Sequence, residues 1–106
     1  MSMIFYDHLL DMQNVARYIS EICESEEEKL ELWNIVDEIV HHRVLGCILD
    51  NLPREHHEDF IERFKSKPHS RKLIVFINNR IGHDIEGEIR ENTQNLQEEL
   101  LKELAG

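Results

Sequence analysis

The sequence predicts an all-α protein, a single small bundle of four to five helices packed around a central helix at about residues 26–52. Three observations predict it. Gly and Pro are scarce, with 4 and 2 residues, so few turns are available for a β fold. The commonest residues are Glu, Leu and Ile, and Thr is rare, which favours helix over strand. Apolar residues also recur at helical spacing, with start and stop signals between the runs. A length of 106 residues suits one domain, 1–106, with a modest core.

The first pattern runs from about Ile4 to Cys23. Phe5, Leu9, Met12, Val15, Ala16, Ile19, Ile22 and Cys23 fall on one stripe of an amphipathic helix, with His8 at its edge. Glu21, Glu24, Glu26, Glu27 and Glu28 then make an acidic corner. Ser25 followed by Glu28 matches a capping box, and acids in a first turn suit the positive end of the helix dipole. The acid run thus has a structural reason.

The central helix holds Leu30 to Leu52, the longest apolar-rich run. Its first half centres on Val36, with Leu32, Trp33, Ile39 and Val40 beside it. Its second half, Val44 to Leu52, centres about 100° further round the axis. The helix therefore has neighbours on several sides or bends between His41 and Gly46, with Gly46 a candidate kink or close-packing point. If the Trp33 ring is core, Trp33→Ala costs about 3–5 kcal/mol.

Leu52-Pro53 ends this helix, since a residue before Pro avoids the α region. Pro53 suits the first position of a third helix whose core face is Phe60, Ile61 and Phe64. Pro68 stops it. Ser70 is a candidate cap for a short fourth helix, LIVFINNRI. That segment could be a strand on its own, but no second strand exists to pair with it. Gly82 reads as a stop and Asp84 as the cap of a last helix, about Ile85 to Leu104. Its stripe of Ile85, Ile89, Leu96, Leu100 and Leu104 is interrupted by Asn92 and Thr93. It is expected to cover the core at its ends only, or to use a partner chain.

The net charge of −10 disfavours nucleic acid, because a phosphate backbone is repelled. No apolar run reaches the roughly 20 residues of a membrane span. The N-terminus lacks the basic region of a signal peptide, so a cytoplasmic protein is expected. Cys23 and Cys47 lie in helical patterns without metal spacing and read as buried thiols in a reducing compartment. The charge is uneven. Arg63, Lys65, Lys67, Arg71, Lys72 and Arg80 fall between Arg63 and His83, with no acid among them. This zone is either matched by the acidic first and last helices or is a docking patch for an acidic partner.

Seven histidines raise a metal question. Glu38 and His41 make one Glu-x-x-His, the spacing that sets two ligands on one helix face in di-iron bundles. No second copy exists. His56 and His57 are the other weak candidates, and no metal or other cofactor is expected. No nucleotide-binding, nucleophile-elbow or zinc-protease motif is present, and a thiol on an apolar face is inert. No enzyme activity is expected. Arg43 falls near the centre of the central helix's first stripe. It is a buried-polar candidate, expected to pair with an acid of the last helix or to line an anion cleft.

The order Leu52-Pro53-Arg54-Glu55-His56-His57-Glu58-Asp59-Phe60, then a short helix and an acidic last helix, resembles small uncharacterised helical domains of candidate-phyla bacteria. The likeness covers about residues 32–104 and departs at the basic Lys65–Lys72 segment. It implies a fold and carries no activity, ligand or site residue. The leading functional expectation is a small cytosolic interaction module without chemistry. Its surface would be the basic zone or the last helix, the latter through self-association. The alternatives are an acidic inhibitor that mimics nucleic acid and a metal- or small-ligand-binding bundle.

Overall fold

Local signals and burial together divide the described residues into five α-helices: α1 (Gln13–Ile22), α2 (Glu26–Asn51), α3 (His57–Ser66), α4 (Lys72–Ile81) and α5 (Ile85–Ala105). A 3-10 turn at Asp7–Leu9 precedes α1, and another at Arg54–His56 leads from α2 into α3. A computed structural model describes residues 4–10 and 12–105, and contains no strand among them.

The continuous helix expected from Ile4 to Cys23 is broken. Phe5 and Tyr6 are both buried, Phe5 against Phe60 and Phe64 and Tyr6 against His41. The chain forms a turn instead. The Ile4 amide donates to Asp7 Oδ2, and the Phe5 amide donates to the Pro68 carbonyl. Phe5 then meets Tyr6, Phe60 and Phe64 edge-on, and this aromatic knot fastens the N-terminal segment to α3. A helix starts only at Gln13. Within it Val15 and Ile19 are buried, but Ile22 is exposed.

α2 begins where the capping box places it. Ser25 Oγ accepts from the Glu28 amide, while Glu28 reaches back to the Glu24 amide. It runs unbroken for 26 residues, past Gly46, and ends at Leu52 before Pro53. Gly46 is not a close-packing point, because a Cβ there would meet nothing within 4 Å. Val36, Val40, Val44, Cys47 and Ile48 are buried along α2. This stripe winds slowly round the helix, matching the rotation seen in the sequence. Trp33 is only half-buried, at the edge of the core rather than in it.

Pro53 leads into the 3-10 turn, and α3 starts at His57. The His57 ring donates to the Leu52 carbonyl at 2.8 Å, so it caps the open end of α2. Phe60 is fully buried, whereas Ile61 is exposed. α4 buries Leu73, Ile74, Phe76 and Ile77 and stops at Gly82, whose φ of 78° is left-handed. Asp84 Oδ1 accepts from the Glu86 amide and caps α5.

α5 is the main antiparallel neighbour of α2, as pairs Arg43–Glu99 and Cys47–Asn92 fix its direction. Its apolar stripe does not break in the middle as expected. Thr93 is fully buried with its hydroxyl donating to the Arg90 carbonyl, so it fills a stripe position at no polar cost. Gln97 is also buried, and its Oε1 accepts the Asn14 amide at the start of α1. Among the described residues α5 exposes no large apolar side chain. The face expected to support self-association is spent inside the chain.

Candidate functional site

The six cations of the basic zone come together at the α3–α4 corner, but not all in one place. Pro68 ends α3 with a tight connection, which sets the last turn of α3 beside the first turn of α4. Between them lies an open groove of about 250 Å³. Arg63, Ser66, Lys67, Ser70, Lys72 and Phe76 line it. Lys65 and Arg71 are exposed nearby, outside the lining. Arg80 lies behind it, its guanidinium 3.7 Å from the centre of the Phe76 ring. Arg63 sits 4.5 Å from the same ring. Two guanidiniums thus share one aromatic ring, a favourable cation–π arrangement that also concentrates like charge.

The charge of this corner is largely unanswered. Arg63 donates to Asp59 within α3 at 3.0 Å. Arg80 donates from Nη1 to the Phe76 carbonyl, and its buried Nε has no partner among the described residues. Lys65, Lys67, Arg71 and Lys72 make no ion pair among the described residues, and no acid lines the groove. Among the described residues no ion pair joins the six cations to α1 or α5. The first amides of α4 are taken internally, by the Ser70 hydroxyl and by the Ser70 and Arg71 carbonyls. The groove therefore offers side-chain cations and two hydroxyls rather than free backbone donors.

The weak metal candidates do not converge. His41 and Glu38, midway along α2, border a hollow of about 400 Å³ with Tyr6, Asp7 and Asp37, while His56 and His57 lie beyond α2's C-terminal end. No group of three His, Cys, Asp or Glu side chains suited to a metal occurs among the described residues. His41 Nδ1 instead lies 3.0 Å from the Tyr6 hydroxyl. Burial, then Asp7 and Asp37, pushes the Tyr6 phenol well above its usual range. Burial, then His42, pulls the His41 imidazole down. Both groups are held uncharged, and we assign the phenol as donor to Nδ1. Asp37 is pushed up by burial and then by Asp7. Nothing in the sequence singled out Tyr6. Its one signal was a phenol next to Phe5 at the start of an apolar stripe.

Arg43 is half-buried and donates to Glu99 Oε2 at 2.6 Å, an acid of the last helix. It ties α2 to α5. Burial, then Glu88 and Asp50, raises the Cys47 thiol, which keeps it protonated and unreactive. No family model matches the chain, and no curated protein or solved structure matches it.

Proposed function

We propose that the protein is a small interaction module without catalytic activity, whose α3–α4 corner docks an acidic segment of a partner protein. One observation carries this reading. Arg63, Lys67 and Lys72 surround one groove, and among the described residues only Arg63 of the three makes an ion pair. A partner carboxylate entering there gains charge-assisted bonds to a guanidinium and two ammonium groups, with the Ser66 and Ser70 hydroxyls beside them. It also relieves the crowding of Arg63 and Arg80 at Phe76.

A nucleic acid fits less well. Phe76 is buried and Phe64 half-buried, so no exposed ring stands ready to stack a base. The remaining net charge of the molecule repels a long polyanion. Three of the candidate reactive groups have structural employment: His41 is bonded to Tyr6, His57 caps α2, and the Cys47 thiol is buried. Both cysteines are free, in keeping with a reducing setting such as the cytoplasm. No helix is long and apolar enough to cross a membrane among the described residues.

The test is a titration with a fluorescent peptide of about ten residues rich in Glu and Asp. The native chain should bind it saturably, and the affinity should fall as salt rises. The double variant Lys67→Glu/Lys72→Glu should weaken binding by about tenfold or more while keeping its helical content. Equal binding by both proteins, or tighter binding of an RNA of the same length, would contradict the reading.

A further inference from the structure

A second surface stands apart from the basic corner and has the opposite character. Leu32, Ile35 and Ile39 recur on α2 at i, i+3 and i+7, so they line one face of the helix. Ile35 is 55% exposed and Ile39 is 39% exposed, with Leu32 half-buried beside them. Single exposed apolar residues are ordinary, but a run of neighbours on a helix marks a contact surface. Helix propensity does not account for them, since Ile is poorer than Ala or Glu in a helix.

The border of this strip is acidic. Glu31 precedes Ile35 by four residues and Glu38 follows it by three, so both adjoin it on the surface. Glu28 stands one turn before Leu32. Glu31 and Glu38 make no ion pair among the described residues. Arg43, one turn after Ile39, is already held by Glu99. Lys29, the only other cation on α2, turns back to Glu26.

We infer that this face of α2 docks a basic amphipathic helix of a partner protein. Its apolar residues would lie along Leu32, Ile35 and Ile39, and its Lys or Arg side chains would meet Glu28, Glu31 and Glu38. Charge selects this occupant. A second copy would bring the same three glutamates against each other, and an anionic membrane surface would be repelled. A helix-on-helix contact also suits the spacing, because apolar anchors at i, i+3 and i+7 match the ridges of a partner helix. This surface is independent of the α3–α4 groove, and either can fail without the other.

The probe is a synthetic amphipathic peptide of about 18 residues, with Leu on one face and Lys on its flanks. Its binding to the full chain should be saturable and should weaken by about tenfold between roughly 50 and 300 mM salt. Ile35→Ser/Ile39→Ser should raise Kd by about tenfold or more with an unchanged thermal midpoint. Glu31→Gln/Glu38→Gln should flatten the salt dependence. The same peptide with Glu in place of Lys should not use this face, so Ile35→Ser/Ile39→Ser should leave its binding unchanged. Undiminished binding by the serine variant, or no saturable binding by the native chain, would overturn the inference. Concentration-dependent self-association abolished by the serine variant would assign the face to a second copy and overturn it too.

Discussion

The two halves of α2 carry similar numbers of apolar residues and meet different fates. From Val40 to Ile48, Val40, Val44, Cys47 and Ile48 are buried. From Glu26 to Ile39 only Val36 is buried, while Leu30, Ile35 and Ile39 stand exposed. The difference lies in the neighbours. The antiparallel register set by Arg43–Glu99 and Cys47–Asn92 brings the described end of α5 level with about residues 34–37. The second half is thus flanked by α5, while part of the first half is not. Apolar pattern decides which residues can be buried, and the register of the facing helix decides which ones are.

Substitutions in the two halves should separate accordingly. Ile48→Ala removes a fully buried side chain and should cost about 2–5 kcal/mol. That is a large share of a typical stability of about 5–15 kcal/mol, and urea unfolding should report it. Trp33→Ala should cost about 1–2 kcal/mol, because its ring is only half-covered and a full core ring would cost about 3–5. A loss in the upper range would move Trp33 into the core and erase the contrast between the halves.

The Tyr6–His41 bond lies at the junction of the halves. Tyr6→Phe should cost about 1 kcal/mol and leave Nδ1 unpartnered. The pH dependence follows from the lowered His41 value. The unfolded chain protonates this ring first, at about pH 6.5. The stability from the neutral ring is therefore present above that pH, is lost as pH falls through it, and levels off below the folded value. Urea midpoints at roughly pH 7.5 and 5.5 should differ more in the native chain than in His41→Gln.

Gly46→Ala should raise stability by up to about 1 kcal/mol, since the added methyl meets nothing. A loss there would restore the close-packing role expected from the sequence. Ile35→Ala should change stability by less than about 0.5 kcal/mol, visible as an unmoved denaturation midpoint.

Elements governed by local chemistry were legible in the sequence. Ser25 and Glu28 start α2, Leu52-Pro53 ends it, Gly82 stops α4 and Asp84 caps α5. Each is a contact between near neighbours in the chain, which a short stretch of residues encodes. What depended on distant partners was not legible. The N-terminal stripe looked helical, yet burying Phe5 and Tyr6 together against α3 and His41 required a turn. Thr93 looked like a break in α5, but its hydroxyl bonds to its own helix and lets the residue be buried. The basic zone was visible as a run of cations. Which of them share a groove depended on Pro68 folding α4 back on α3, which brought Arg63, Lys67 and Lys72 together and left Lys65 and Arg71 outside.

The central claim is that the α3–α4 corner is where an acidic partner docks. The most direct measurement is an amide-resolved NMR titration of the full chain with a peptide of about ten residues rich in Glu and Asp. The account predicts shifts concentrated at Arg63, Ser66, Lys67, Ser70 and Lys72, with the Leu32–Ile39 face of α2 unmoved. Shifts centred on that face of α2, or no saturable shift at the corner, would contradict it.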